Sequence, residues 1–240
     1  MFQRLDSRML LSAASLVTMF LDHGTPSFQL DQPGLRCAIE LSTVPGGKED
    51  NAPTYARVFI HEMGGRNLKN GVMFDVAPED VAQGLVFRGT AGNDHMEITA
   101  TPGFQATFSD AFVGIYGYDG DDRIQARSRV DMISGMAGDD KLFGSSEGDV
   151  IFDGLGDDYV SGGNGPDTLY SEDGSDTLYG GAGDDEVHAQ FLGGYDILCG
   201  NADDDQLVVS LYNVDDTHWY AKVIGFELVN TVGEVYGKGG

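Results

Sequence analysis

Residues 162–188 read GGNGPDTLY, SEDGSDTLY, GGAGDDEVH when cut every nine positions. The same cut begun at Gly117 runs unbroken to His188, through GYDGDDRIQ, ARSRVDMIS, GMAGDDKLF, GSSEGDVIF and DGLGDDYVS before the three just quoted. After a two-residue slip at Ala189 and Gln190, FLGGYDILC and GNADDDQLV complete ten copies at Val208. The sixth position is aspartate in all ten, the eighth is Ile, Leu or Val in all ten, and the fourth is glycine in seven. Self-similarity at a fixed period marks a stacked repeat architecture, so these columns decide the fold ahead of any local window.

Each column has a physical task. Glycines supply the positive-φ backbone of tight turns and let carbonyl oxygens crowd inward. Positions seven to nine alternate, which predicts a very short strand burying only its eighth side chain. A six-residue turn plus a three-residue strand is half a coil, so two nonads predict one 18-residue coil of a parallel solenoid with turns along both edges. Turns 18 residues apart then stack at the inter-strand spacing of about 4.8 Å. That puts Asp122, Asp140, Asp158 and Asp176 in one column and Asp131, Asp149, Asp167 and Asp185 in another.

Two bare carboxylates at that spacing repel by about 3 kcal/mol at an effective dielectric of 20. The chain offers no local remedy: from Leu142 to Ala221 there is no Lys or Arg, while the same stretch carries 18 carboxylates. A hard divalent cation between rungs would supply the missing charge. Carboxylate and peptide oxygens without His or Cys predict several calcium ions rather than zinc.

GGNGPDTLY and GGAGDDEVH follow the pattern GGxGxDxUx, and residues 117–208 resemble the RTX (repeats-in-toxin, haemolysin-type) calcium-binding repeat family. GTAGNDHME at 89–97 is similar to an isolated earlier copy. The resemblance implies a parallel β-roll in a bacterial chain that leaves the cell unfolded through a type I secretion channel and folds on meeting extracellular calcium. Carried over position by position, it implies side-chain ligands Asp122, Asp131, Asp140, Asp149, Asp158, Asp167, Asp176, Asp185, Asp196 and Asp205. Carbonyls of Gly156, Gly163, Gly165, Gly174, Gly181 and Gly183 would complete the shells. The sequence departs from the pattern at Arg127, Ser128 and Arg129, where glycines belong, so Asp131 is expected to serve the poorest site. Glu147 and Asp203 replace the fourth glycine, and the tail from Glu234 to Gly240 has no counterpart of the family's C-terminal secretion signal.

Composition sets the outer bounds. The 240 residues carry 39 acids against 14 Lys and Arg, a formal charge of −25, which excludes phosphate backbones and anionic membranes as partners. Hydrophobic residues at 41% are too many for a disordered acidic tail, and the glycines lack a three-residue period, so collagen is excluded too. Cys37 and Cys199 are too few for a disulfide-built scaffold, leaving free thiols or one long-range bridge. The apolar run Met9 to Leu21 is shorter than the roughly 20 residues a bilayer demands, so no transmembrane span is expected. It reads either as an amphipathic helix, with Leu5, Met9, Ala13, Leu16 and Phe20 on one face, or as the core of a secretory signal. Short strands are expected at Leu35–Leu41, Tyr55–His61, Val72–Val76 and Leu85–Phe87, between glycine-rich turn signals.

The expected fold is therefore all-β: a parallel β-roll of nine-residue repeats with a small β-rich N-terminal region and a short N-terminal helix. The expected organisation is 1–24 helix or signal, 25–88 small β-rich region, 89–116 atypical repeat and extra strands, 117–208 β-roll, and 209–240 capping strands and tail. No catalytic constellation emerges. Gly144 to Gly148 matches G-x-S-x-G, but it lies in phase inside a nonad with no helix predicted after it. His61-Glu62 lacks the second histidine of a zinc-protease helix. The expected function is non-enzymatic: a secreted calcium-binding protein whose folding is coupled to the metal, in adhesion or surface or matrix association. Its expected partners are calcium ions and the type I secretion machinery. The alternative is an extracellular enzyme or accessory module acting on polysaccharide or protein, with its activity in residues 25–116.

Overall fold

Inward and outward side chains alternate along each nonad, and that alternation builds the molecule. A computed structural model describes residues 17–46, 53–63, 71–190, 195–210, 220–226 and 228–232. The N-terminal part contains β1 (Val17–Asp22), β2 (Thr25–Leu30), β3 (Arg36–Pro45), β4 (Thr54–Glu62), β5 (Val72–Val76), α1 (Pro78–Val81), β6 (Leu85–Arg88), β7 (His95–Ala100), α2 (Pro102–Thr107) and β8 (Val113–Asp119). The repeats supply β9 (Arg123–Ala126), β10 (Met132–Ala137), β11 (Lys141–Phe143), β12 (Val150–Leu155), β13 (Tyr159–Asn164), β14 (Thr168–Ser171), β15 (Thr177–Ala182), β16 (Glu186–Gln190), β17 (Tyr195–Ala202) and β18 (Gln206–Ser210). Two further strands follow, β19 (Tyr220–Ile224) and β20 (Leu228–Val232).

From β5 onward successive strands go to opposite sheets, while β1-β2 and β3-β4-β5 are antiparallel neighbours within one sheet each. One sheet runs β1-β2-β6-β8-β10-β12-β14-β16-β18-β20 and the other β19-β17-β15-β13-β11-β9-β7-β3-β4-β5. Within the repeats all pairing is parallel, and partners are 18 residues apart, as in Leu142 with Val160 and Ile151 with Leu169. Past the slip at Ala189-Gln190 the offset becomes 20, as in Leu178 with Leu198. The eighth-position side chains, from Ile124 and Ile133 through Leu198 and Leu207, are all at most 1% exposed. The protein is all-β, in an arrangement consistent with a β-roll.

Three expectations need correction. Except in β11, which keeps to Lys141–Phe143, the repeat strand is longer than three residues: β13 pairs with β15 at Tyr159–Ser161 and again at Gly163 and Asn164, on both sides of Gly162. Positions one to three thus continue the strand, and alternation turns position one inward beside position eight. Of the expected N-terminal helix only residues 17–24 are described, and these form a strand and a hairpin turn. Leu5, Met9, Ala13 and Leu16 lie outside the described residues, and Phe20 is in a strand. Val17 and Met19 point inward at 0% and 3% exposure, and His23-Gly24, both at positive φ, close a two-residue hairpin onto β2. Lastly, residues 89–116, expected as an atypical repeat and extra strands, also hold a helix: Pro102-Gly103 open α2, because the Thr101 hydroxyl caps it by accepting from Phe104 N–H at 3.3 Å and proline suits the first helical position.

The four N-terminal strands expected from sequence are β3 to β6. β3 to β5 end one sheet and β1 and β2 lie beyond β6 in the other, and there Phe28 of β2 lies flat on Phe87 at 5.0 Å and meets Phe74 edge-on at 5.3 Å. Cys37 and Cys199 are both free thiols, with five strands of one sheet between them, so no bridge joins them. Burial pushes the Cys37 thiol up to about 12. At the far end β19 and β20 pair in parallel with β17 and β18; Trp219 and the tail lie outside the described residues. No helix among the described residues is long and apolar enough to cross a membrane.

Candidate metal centre

The sixth-position aspartates sit where the chain leaves one sheet for the other, and nine of the ten are buried: Asp122, Asp140, Asp149, Asp158, Asp167, Asp176, Asp185, Asp196 and Asp205. Backbone hydrogen bonds hold them in columns. Asp122, Asp140, Asp158 and Asp176 each donate their N–H to Oδ1 of the next aspartate up, at 2.6–3.1 Å, with Asp196 at the end. Asp149, Asp167 and Asp185 do the same on the opposite edge, ending at Asp205. Asp94 of the early copy starts the first column by donating to Asp122 Oδ1 at 2.7 Å.

One N–H satisfies one oxygen and leaves the other. Asp122, Asp140, Asp158, Asp167, Asp185 and Asp205 each keep a buried Oδ2 without a partner, and Asp149 keeps Oδ1. With Asp153 Oδ2, aspartate oxygens make up eight of the ten unpartnered buried side-chain polar atoms among the described residues. An orphaned buried acceptor costs about 1–3 kcal/mol, more when charged. Burial accordingly lifts the carboxyls of Asp122, Asp140 and Asp158 to about 7, with neighbouring carboxylates adding to the rise. Asp167 rises to about 8 for the same reasons, and Asp149, Asp185 and Asp196 to about 6.

Carbonyl oxygens converge on these orphans. A Cβ on Gly135 would lie 2.2 Å from Asp140 Oδ2 and 2.4 Å from the Asp153 carbonyl oxygen. The equivalent point at Gly162 is 2.2 Å from Asp167 Oδ2 and 2.6 Å from the Gly180 carbonyl oxygen. Position-one glycine therefore keeps open a cradle bounded by carboxylate and peptide oxygens. Such a donor set fits a hard oxygen-seeking cation, with no thiolate or imidazole for a softer one. The position-one carbonyls were missed in the sequence reading, although six position-one glycines in ten nonads were visible there.

The glycines named from sequence lie elsewhere in the turns. Gly156, Gly163, Gly165, Gly174, Gly181 and Gly183 all have positive φ. A Cβ on Gly174 would fall 1.8 Å from the Gly156 carbonyl oxygen, so these carbonyls run along the stack toward the next glycine of their column.

Asp131 differs. Its carboxylate accepts from Val113 N–H at 2.8 Å and from Arg129 at 2.7 and 3.2 Å, and it keeps no orphan oxygen. The arginine in the glycine's place thus supplies a positive charge of its own.

Residues 116–151 and 152–187 match the family model described as RTX calcium-binding nonapeptide repeat (4 copies). The chain carries RTX calcium-binding repeats. Such repeats bind calcium, which is a cation of the hard, oxygen-seeking kind that this donor set fits. No curated protein and no solved structure matches the chain.

Proposed function

We propose that the RTX repeats of this chain make it a secreted calcium-dependent folding protein, in which Ca²⁺ between successive turns closes the stack. One observation carries this reading: two columns of buried aspartates hold orphan oxygens, and those from Asp149 to Asp205 lie in a stretch, Leu142 to Ala221, without a single Lys or Arg. The side-chain ligands in this reading are the sixth-position aspartates, Asp131 being the weakest, with turn and position-one carbonyls completing the shells. When bound, Ca²⁺ supplies the charge that lets the carboxylates ionise inside the fold. The chain holds those carboxylates in register through the N–H ladder and keeps side chains out of the cradle with glycine.

Export through a type I channel as an unfolded chain fits a polypeptide that closes only in calcium outside the cell. In this reading no reaction is catalysed, and the folded surface serves adhesion or attachment to a surface or matrix. Affinity in the range of extracellular modules, about 10⁻⁴–10⁻³ M, is expected, with cooperativity because neighbouring turns share ions. Far-ultraviolet circular dichroism of the chelated chain tests it. Millimolar calcium should restore strand signal and equal magnesium should not; a spectrum indifferent to chelation would refute coupled folding.

A further inference from the structure

Position one of the nonad is glycine in six copies and a carboxylate in only one, at Asp153. Because position one continues the strand and faces inward, Asp153 is fully buried, at 0% exposure. Its Oδ1 accepts from Gly154 N–H at 2.6 Å and Glu172 N–H at 2.9 Å, while Oδ2 has no partner. One carboxylate oxygen each from Asp153, Asp158 and Asp176 lie within 4.8 Å of one another. Asp158 Oδ2 is also an orphan, whereas Asp176 Oδ2 accepts from the Ser171 hydroxyl at 2.9 Å. No ion pair among the described residues includes any of the three.

We propose that Asp153 converts this one rung into a three-carboxylate site that takes a hard multivalent cation ahead of every other rung. The inference rests on the calcium-ladder reading and adds an order of filling to it. Other rungs present sixth-column carboxylates and peptide oxygens; this one adds a further full negative charge, and oxygen sites gain affinity with ligand charge count. The extra charge also favours a trivalent over a divalent ion of similar size, since Ca²⁺ leaves the three carboxylates one charge short of neutral and a lanthanide does not. Filling at this rung, midway along the repeats, would order the turns on both sides of it.

The test is calcium titration calorimetry and Tb³⁺ luminescence on the full chain, for the wild type, Asp153→Gly and Asp153→Asn. The glycine variant installs the residue most nonads carry at this position. The asparagine variant keeps the shape and the two backbone hydrogen bonds, so one of the two reports if the other fails to fold. The wild type should bind one ion ahead of the rest, with Tb³⁺ displacing Ca²⁺ there most readily. Both variants should weaken that first class about tenfold or more and lose one early-binding Tb³⁺ while the later class persists. An early class unchanged in a folded variant, as when Asp153 merely holds a proton, overturns the proposal and leaves the ladder standing. A wild type that binds no calcium overturns both.

Discussion

Asp94 and Asp140 occupy the same place in the nonad pattern, two rungs apart in one column, yet their surroundings differ. Asp94 Oδ1 accepts from Leu35 N–H at 2.7 Å, and its Oδ2 accepts from both the N–H and the hydroxyl of Thr90 at 2.6 and 2.7 Å. Asp140 has the Asp122 N–H and nothing for its second oxygen. Asp131 stands between them, with an arginine as counter-charge. An inward carboxylate in this fold is thus met by protein donors, by a guanidinium, or by neither. On the proposed reading the stack needs an external cation only in the last case, so the N-terminal end, with its aromatic core and fully bonded Asp94, stands without metal and the repeats do not.

The sharpest way to break that contrast is pH in the absence of metal. An aspartate whose pKa is raised by burial favours the folded chain in its protonated form. Its stabilising contribution is present below the unfolded value of about 4 and is lost as pH rises through the folded value. For Asp149 and Asp185 that value is about 6, for Asp122, Asp140 and Asp158 about 7, and for Asp167 about 8. With chelator, the thermal midpoint should fall steadily from pH 5 to pH 8, with the largest loss of amide protection in residues 117–208. With millimolar calcium the slope should reverse, because the metal needs the ionised form. A chelated chain equally stable at both ends of the window would mean the orphan oxygens are solvated after all.

What the sequence disclosed follows from what is local. The eighth-column aliphatics and sixth-column aspartates are set by a nine-residue period, and the structure places both where that period puts them. Asp153 was not legible in its role because a strand read as three residues assigns position one to the turn, where an extra acid looks like solvent-facing charge. Val17 to Asp22 misled for another reason: a continuous apolar run does not distinguish helix from strand by periodicity, and its partner β2 is fixed only by the His23-Gly24 hairpin. The Arg129 to Asp131 pair left a trace in sequence only as missing glycine. That an arginine had taken over the positive charge required seeing its guanidinium against the carboxylate.

A smaller effect separates rungs within the repeats. Asp167 keeps an orphan Oδ2 beside the Gly180 carbonyl, while Asp131 is satisfied by Arg129 and Val113. Asp167→Ala should weaken calcium binding by about tenfold or more, because it removes a ligand charge from a shared column. Asp131→Ala should change calcium affinity by less than about twofold and instead cost stability with or without metal, on the order of 1 kcal/mol for a half-exposed ion pair. Calorimetric titration of both variants decides. Equal losses of affinity would make the glycine-poor turn an ordinary calcium site and Arg129 a bystander.

The smallest effect probes the metal-independent end. Thr90→Val keeps the backbone N–H that reaches Asp94 Oδ2 and the branched shape of the side chain, but deletes the hydroxyl donor. One lost hydrogen bond to a buried carboxylate should lower stability by about 1–2 kcal/mol. The loss should be the same in calcium and in chelator, because Leu35 and Thr90 donors already occupy both Asp94 carboxylate oxygens. Denaturant unfolding in both conditions measures it. If calcium restored the lost stability, the first rung would be a metal site whose entrance the threonine hydroxyl had been covering, and the boundary between the self-sufficient end and the calcium ladder would have to move one rung toward the N-terminus.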